Sequence, residues 1–263
     1  MAQLTDSKVL NSQYGTADKL NTRISIHAKY SVNKQGFGSW ITEHYRFPDG
    51  AAVLELGCGT GEMWKGKSDI AARCGQLILS DFSAGMLEKA KETLKEETGI
   101  GYQVIDIREI PYPDQSFDAV IANMMLYHVP NLAKGLSEVR RVLKNGGVFY
   151  CATYGEHGMM EFIGSLFSGY GVRTAINSNF TLQNGREKLC PFFTKIEQDL
   201  YEDALLVTDV EDLVDYIFSL TGMTDLRKLP RDTVREVLSR HMASGVLRVP
   251  KEYGMFIARK YSE

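Results

Sequence analysis

The stretch VLELGCGTG, residues 53–61, decides the fold. It begins inside an apolar run, residues 51–56, and ends in three glycines at alternate positions, Gly57, Gly59 and Gly61. Glycine suits a sharp turn and lets a ligand approach the backbone closely. In open α/β sheets, the turn after the first buried strand is where cofactors bind. We therefore take this loop as the candidate cofactor site.

Short apolar runs follow the loop and alternate with helical patterns, which is typical of βαβ units with a parallel sheet. These runs are nearly continuous in apolar residues, as strands covered on both faces must be. Helices are predicted to begin at Ser83 and Asn131, and Gly146 is predicted to end the second of them. The predicted strands span residues 51–56, 76–80, 102–105, 117–123 and 147–153.

The pattern changes after Thr153, because residues 155–192 are rich in Gly, Phe, Met and Tyr without a clear period. We interpret residues 155–192 as a cap insertion. Regular structure returns over residues 195–207, followed by a helix announced by the capping-box spacing of Thr208 and Glu211, a helix from Pro230 and a last strand over 254–259. Residues 1–48 are predicted to form a helical lid, and residues 49–154 and 193–263 the core.

Composition excludes several classes of protein. Hydrophobic residues at 44% and charged residues at 24% are close to globular averages, which argues against disorder and against a membrane protein. Thirty basic against 33 acidic residues give a net charge of -3, so no nucleic-acid partner is expected. No secretory or membrane-spanning segment is evident, and a cytoplasmic location is expected. Four widely spaced cysteines without a CxxC pair predict neither a metal site nor disulfides.

The loop itself discriminates between cofactors. A dinucleotide fingerprint, GxGxxG from Gly57, would need glycine at position 62, where this sequence has Glu62. The loop also lacks the lysine and hydroxyl of a triphosphate-binding loop. Asp81 follows Gly61 by twenty residues, where a carboxylate can accept hydrogen bonds from both ribose hydroxyls of an adenosine. These features favour a cationic ligand without phosphate, such as S-adenosylmethionine, over a nicotinamide dinucleotide.

With these residues in place, the chain resembles the class I S-adenosylmethionine-dependent methyltransferases, in particular the methyltransferase domain 11 group. The resemblance covers about residues 20–155. VLELGCGTG resembles the first motif of the family, LILSDFSAGMLEKA the second, and YQVIDIREIPYPDQSFDAVIANMMLYHV the third and fourth. It implies a doubly wound, seven-stranded, mostly parallel α/β sheet of order 3-2-1-4-5-7-6, with strand 7 antiparallel.

The resemblance also implies roles for individual residues. The glycines would pass under the methionine and ribose, Glu55 would orient the loop and the amino group, and Asp81 would bind the ribose. Two apolar side chains would flank the adenine, and the end of strand four would offer carbonyls to the ammonium. The implied cofactor-binding residues are Tyr30, Glu55, Gly57, Cys58, Gly59, Gly61, Asp81, Phe82, Met86, Asp106, Ile107, Asn123, Met124 and His128.

Methyl transfer is an in-line displacement at a carbon that positive sulfur already activates, so the protein mainly has to align the partners and exclude water. His128, just after strand four, is the candidate general base, with a purely structural role as the alternative. Cys58 is interpreted as a small space-filling residue. Further candidates for acceptor contact are His27, Tyr127, Tyr154 and His157, each with packing as the alternative.

The predicted function is methyl transfer to an O, N or C atom of a small-molecule acceptor, by a monomer or homodimer. An RNA or protein methyltransferase is the alternative among enzymes, although the charge balance argues against it. A module that binds the cofactor without transferring its methyl group also stays open, because the acceptor site has no recognisable motif. A nicotinamide-dependent dehydrogenase is opposed mainly by Glu62 and the loop spacing.

Overall fold

A computed structural model describes residues 25–172, 176–220 and 224–261. Contacts divide the chain into two units. We call the first the larger unit; it holds residues 37–153, 179–199 and 254–263. The second, the smaller unit, holds residues 1–36, 154–178 and 200–253. Of the predicted lid, residues 1–24 lie outside the described residues.

Seven strands form one sheet in the order β3-β2-β1-β4-β5-β7-β6, with β7 antiparallel. This confirms the fold class. The pairs β1–β2, β1–β4, β2–β3 and β4–β5 are parallel. The strands are β1 (Ala51–Leu56), β2 (Cys74–Asp81), β3 (Ile100–Val104), β4 (Phe117–Ile121), β5 (Leu143–Tyr154), β6 (Lys195–Val207) and β7 (Leu247–Arg259).

Helices connect and flank the strands. Residues 25–30 are also helical. The helices with both ends described are α1 (Phe37–Glu43), α2 (Ser68–Ala72), α3 (Ala84–Thr93), α4 (Leu132–Val142), α5 (Met159–Leu166), α6 (Gly185–Leu189), α7 (Val210–Ser219) and α8 (Arg231–Arg240).

The strands of the larger unit bury side chains on both faces of the sheet. Neighbouring residues Val53 and Leu54 are both 0% exposed, yet they belong to two different apolar clusters. Val120 and Ile121 divide between the same two clusters. Because successive side chains of a strand point to opposite faces, each face of the sheet carries its own core. The continuous apolar runs in the sequence are explained by this double coverage.

The smaller unit has a core of its own. It gathers apolar side chains of residues 25–30, α5, α7, α8 and the parts of β6 and β7 that belong to this unit. Its interior also holds an ion pair, in which Lys251 Nζ contacts Asp203 Oδ2 with side chains 4% and 0% exposed. Asp203 further accepts hydrogen bonds from the Ser31 hydroxyl and, at 3.0 Å, from the Asn33 backbone N–H. These bonds attach residues 31–33 to β6.

Two predictions about helix ends were wrong. Gly146 does not end α4: the helix stops at Val142, and Leu143 already begins β5, where Gly146 lies with φ 81°. The capping box of Thr208 and Glu211 is displaced by one residue, because Asp209 occupies the N-cap and accepts the Glu211 backbone N–H at 3.0 Å. Asp is as good an N-cap as Thr, so the sequence offered two adjacent candidates.

The division into units differs from the predicted domains. Residues 37–48, predicted as part of the lid, belong to the larger unit, and residues 200–253, predicted as core, belong to the smaller unit. The predicted cap insertion is also divided, because residues 179–192 belong to the larger unit. The roles of lid and cap stay predictions.

Candidate functional site

The glycine loop after β1 is a chain of left-handed residues. Gly57, Gly59 and Gly61 have φ of 71°, 57° and 77°, a region that costs an L side chain roughly 1–2 kcal/mol. A Cβ on Gly59 would meet no atom within 4 Å, so the loop has an open face there. On Gly61 it would meet Leu94 Cδ1 at 2.8 Å. The loop is therefore closed against α3 at one end and open to a ligand in the middle.

Asp81, at the end of β2, fastens the open part of the loop. Its two carboxylate oxygens accept the backbone N–H of Gly59 at 3.0 Å and of Ser83 at 2.8 Å. Burial raises the pKa of Asp81, while these two bonds oppose the rise. Ser83 stands at the predicted N-cap of α3, but its side chain makes no capping bond. A carboxylate has about four acceptor positions, so Asp81 can also accept hydrogen bonds from ligand hydroxyls.

Glu55, the penultimate residue of β1, is 2% exposed. Its Oε2 accepts the indole N–H of Trp64 at 2.5 Å, and Trp64 belongs to the short 3-10 helix that follows Gly61. The ring of Tyr45 stacks on that of Trp64 with centroids 6.3 Å apart. Burial and then the nearby Asp81 charge raise the pKa of Glu55 to about 7, although the Trp64 bond lowers it. A buried acid thus lies directly below the loop.

Strained backbone marks the end of β4. Met124 has φ 54°, which is rare for a residue other than glycine and is held only where the surroundings impose it. Its N–H donates to the Ala152 carbonyl at 2.8 Å. The buried Asn123 side chain accepts the Ala152 N–H at 3.2 Å and donates to the Tyr45 hydroxyl at 2.8 Å. Side-chain and backbone bonds together fix the segment that was predicted to meet the ammonium.

Exposed apolar side chains flank the next part of the site. Phe82, directly after Asp81, is 58% exposed, and Val104, at the end of the neighbouring strand β3, is 52% exposed. Met86 is half-buried in the first turn of α3. Large exposed apolar surfaces at strand ends suit a flat ligand ring. Val104 was missed from sequence, because its strand looked continuously buried there.

Asp106 and Ile107 follow β3 and have partners of their own. The guanidinium of Arg108 binds Asp106, with Nη2 to Oδ2 at 2.6 Å, and lowers the pKa of that carboxyl. Ile107 is 5% exposed, and its side chain lies where a Cβ on Gly135 of α4 would be 3.3 Å away. Only the backbone of Ile107 remains for an adenine contact. Arg108 had no signal in the sequence beyond its spacing from Asp106.

His128, Tyr127 and Cys58 also lie in the larger unit. His128 ends a short 3-10 helix after β4, half-buried, with its ring 4.4 Å from the ring of Tyr127. Tyr127 packs against the apolar core. Cys58 is 9% exposed within the other core cluster, and burial raises the pKa of its thiol. The thiol is therefore neutral, in agreement with a space-filling role.

Four predicted contacts belong to the smaller unit, and their roles toward a ligand stay predictions. Tyr30 is 6% exposed in the core of that unit, and its hydroxyl donates to Asp212 at 2.5 Å. The pKa of His27 falls to about 4 through burial and the charge of Lys251, so the imidazole is neutral. Tyr154 donates its hydroxyl to the Asn177 carbonyl at 2.9 Å. His157 is exposed.

The residues gathered in the larger unit fit S-adenosylmethionine by their chemistry. Glu55 and Asp81 are acidic, and residues 55–61 and 81–83 contain no basic side chain. Such a set repels a pyrophosphate and suits a ligand with a sulfonium and an ammonium. Two open cavities of about 630 and 290 Å³ are lined by other residues of the chain. The first lies at Arg186 and Phe193, and the second at Gly99 and Tyr102. Neither contains the loop.

Within the described ranges, residues 25–172, 176–220 and 224–261, no group of three or more His, Cys, Asp or Glu side chains is placed to hold a metal ion. Within the same ranges, every helix is too short or too polar to cross a lipid bilayer.

The chain is similar to known methyltransferases. The family model described as "Methyltransferase domain" matches residues 54–151. A demethylmenaquinone methyltransferase from Bacillus licheniformis is 33% identical over 59% of this chain and 64% of its own length. A malonyl-[acyl-carrier protein] O-methyltransferase from Methylococcus capsulatus is 30% identical over 79% of this chain and 72% of its own length. The chain spans 57% and 64% of the first two curated relatives that it matches.

A solved structure shares the fold. Phosphoethanolamine N-methyltransferase 2 from Haemonchus contortus, in complex with S-adenosyl-L-methionine, superimposes with a TM-score of 0.60 at 20% identity, over 97% of this chain and 60% of that one. The sheet order, the matched domain and the Methylococcus relative point to the same family. The chain belongs to the class I S-adenosylmethionine-dependent methyltransferases.

Proposed function

We propose that this chain binds S-adenosylmethionine in the larger unit and transfers its methyl group to a small-molecule acceptor. The observation that carries the proposal is the loop of residues 57–61, open at Gly59 and fastened to Asp81, with Glu55 beneath it. S-adenosylmethionine supplies a methyl group already activated by positive sulfur. The protein then has to hold the ligand, align it and exclude water.

The residues of the larger unit divide this work. Asp81 accepts hydrogen bonds from the ribose hydroxyls, while the hydrogen bonds that it accepts from the backbone N–H groups of Gly59 and Ser83 keep the loop in place. Phe82, Met86 and Val104 offer apolar surface to the adenine. The carbonyls of Asn123 and Met124 accept bonds from the ammonium, since their segment is fixed by Ala152 and Tyr45. His128 is the candidate base for an acceptor hydroxyl or amine.

For the methyl acceptor we propose only a class of molecule, a small molecule, and no particular compound. The names of two relatives give different acceptors, demethylmenaquinone and malonyl-[acyl-carrier protein]. Sequence similarity therefore does not identify the acceptor of this chain. A small molecule is favoured over RNA because the chain carries a net charge of -3. We propose that the lid and cap, and the smaller unit with His27, Tyr154 and His157, take part in acceptor recognition. A cytoplasmic location likewise stays a prediction.

Calorimetric titration with S-adenosylmethionine, S-adenosylhomocysteine and NAD tests the cofactor. We expect binding of the first two and none of NAD; NAD binding without a response to S-adenosylmethionine would contradict the proposal. Transfer is tested with S-adenosylmethionine carrying a radioactive methyl group and a library of small metabolites, with bulk RNA and protein as further acceptors. Cofactor binding without transfer to any acceptor class would favour the binding-module alternative.

A further inference from the structure

Glu55 is a buried acid, and the described part of the chain gives it no basic partner. Its side chain accepts one hydrogen bond, from the neutral indole of Trp64 at 2.5 Å. Among the described residues no lysine, arginine or histidine forms a salt bridge with it, although seventeen such bridges occur elsewhere in those ranges. An ionised carboxylate in such surroundings is costly, because burial removes its hydration and nothing of opposite charge replaces it.

Among the described residues, the titratable groups that face Glu55 come from the end of β2 and from two connecting segments, and none of them is positively charged. Asp81, at the end of β2, adds a like charge. The Tyr45 phenol, between α1 and β1, and the Cys58 thiol, in the loop, both have pKa values raised by burial and by Glu55, so they are neutral. Burial and the Asp81 charge hold the pKa of Glu55 near 7, although the Trp64 hydrogen bond lowers it. Without ligand, the carboxyl is therefore about half protonated at neutral pH.

A cationic ligand reverses this balance. An opposite charge within about 4–6 Å of a carboxyl lowers its pKa by roughly 1–3 units. S-adenosylmethionine brings a sulfonium and an ammonium, whereas S-adenosylhomocysteine, the thioether product, keeps only the ammonium. The substrate form of the cofactor thus has one positive charge more with which to stabilise the ionised form of Glu55.

We propose that Glu55 releases its proton to solvent when S-adenosylmethionine binds, and that the carboxylate so formed makes the site prefer this cofactor to its product. The carboxyl O–H bond breaks, the electron pair stays on oxygen and the proton passes to buffer. Glu55 is thus a specificity-determining residue, which rests on the proposed cofactor. A purely structural Glu55 would only need to accept the Trp64 N–H, which a glutamine can also do.

Calorimetry in buffers of different ionisation enthalpy counts the protons exchanged on binding. For the wild-type protein at pH 6.0, with a free pKa near 7 and a bound pKa near 5, we expect release of about 0.8 proton per S-adenosylmethionine, and fewer for S-adenosylhomocysteine. Between pH 5.5 and 7.0 the Kd of S-adenosylmethionine should fall about tenfold. The Kd of the product should fall less over that range.

Glu55→Gln keeps the acceptor for Trp64 but cannot titrate, so proton release should vanish and the Kd of S-adenosylmethionine should lose its pH dependence below 7. The amino group of the ligand titrates near pH 8, and this variant measures its share. Asp69→Asn, at an exposed carboxyl in α2, is the control and should behave as wild type. Trp64→Phe removes the bond that lowers the pKa, and should increase the release at pH 7.0.

Two outcomes would overturn the inference. One is tight binding by the wild-type protein at pH 6.0 with less than about 0.2 proton released; the other is undiminished release from Glu55→Gln. If Glu55→Gln fails to fold, Trp64→Phe decides, since unchanged release at pH 7.0 would contradict the role of Glu55. Failure of the wild-type protein to bind S-adenosylmethionine at any pH would instead contradict the proposed function, and the inference with it.

Discussion

Gly57, Gly59 and Gly61 share a left-handed backbone, but their surroundings differ. A Cβ would collide with Met125 at Gly57 and with Leu94 at Gly61, and would meet nothing at Gly59. Gly66, a few residues further on, has φ 69° and also has open space around it. The loop thus contains glycines required by conformation alone and glycines required also by close packing.

This difference predicts that alanine substitutions at Gly66 and Gly61 lower the free energy of unfolding by different amounts. Gly66→Ala should cost about 1–2 kcal/mol, the ordinary penalty for a side chain in left-handed backbone. Gly61→Ala should cost about 2–4 kcal/mol, because overpacking against Leu94 and Ala90 adds to that penalty. Urea denaturation of the two variants beside wild type measures both. Equal losses would show that α3 yields to the added methyl group.

Asp81 combines a structural and a ligand-binding role in one carboxylate. Asp81→Ala should weaken S-adenosylmethionine binding by about 1.5–3 kcal/mol, the value of a lost hydrogen bond to a charged group. Asp81→Asn keeps one acceptor oxygen and should lose less. Titration calorimetry is the measurement, with Asp69→Ala, an exposed acid in α2, as the control. An unchanged affinity of Asp81→Ala would remove the ribose assignment.

Glu55 also predicts how stability without ligand depends on pH. Its pKa in the folded chain, about 7, lies above that of an unfolded glutamate, about 4.3. The folded state therefore loses stability as pH rises from about 4.3 through 7, by about 3 kcal/mol in total. Relative to wild type, Glu55→Gln should gain that amount between pH 4.5 and 7.5 in urea denaturation. Parallel curves would show that Glu55 titrates normally.

At the scale of elements, the sequence predicted the sheet better than it predicted the helix ends. Strands β1 and β4 were placed closely because double burial makes the apolar runs continuous. Gly146 was misplaced because a left-handed glycine suits both a helix end and an irregular strand, and only pairing with β4 distinguishes them. Trp64 and Tyr45 gave no local signal, because nothing in the sequence shows that their side chains turn inward to Glu55 and Asn123.

The ion pair on β6 and β7 predicts a test within the smaller unit. Asp203→Asn leaves the Lys251 ammonium buried and should cost roughly 3–5 kcal/mol in urea denaturation. Adding Lys251→Met removes the stranded charge and should recover more than half of the loss. Additive losses would show that the two side chains act independently. Glu236→Gln, which breaks the exposed pair with Arg240 in the same unit, should change stability little.

At the scale of the whole molecule, the two tryptophans offer a selective probe. Trp40 and Trp64 both lie in the larger unit, while helices occur in both units. Because each unit has its own core, we expect tryptophan fluorescence and far-ultraviolet circular dichroism to give different urea transitions. S-adenosylhomocysteine at 100 times its Kd should raise the free energy of unfolding measured by fluorescence by about 2.7 kcal/mol. Coincident transitions with and without ligand would indicate one cooperative molecule.

The chain passes from one unit to the other five times, at residues 36/37, 153/154, 178/179, 199/200 and 253/254. Neither unit is a continuous stretch of sequence. An engineer who wishes to graft the smaller unit of a relative onto this cofactor-binding core must therefore exchange three separate pieces together. Truncation at any of the three inner points, 153/154, 178/179 or 199/200, would divide both units, and a recombination library with a single crossover there would produce mismatched chimeras.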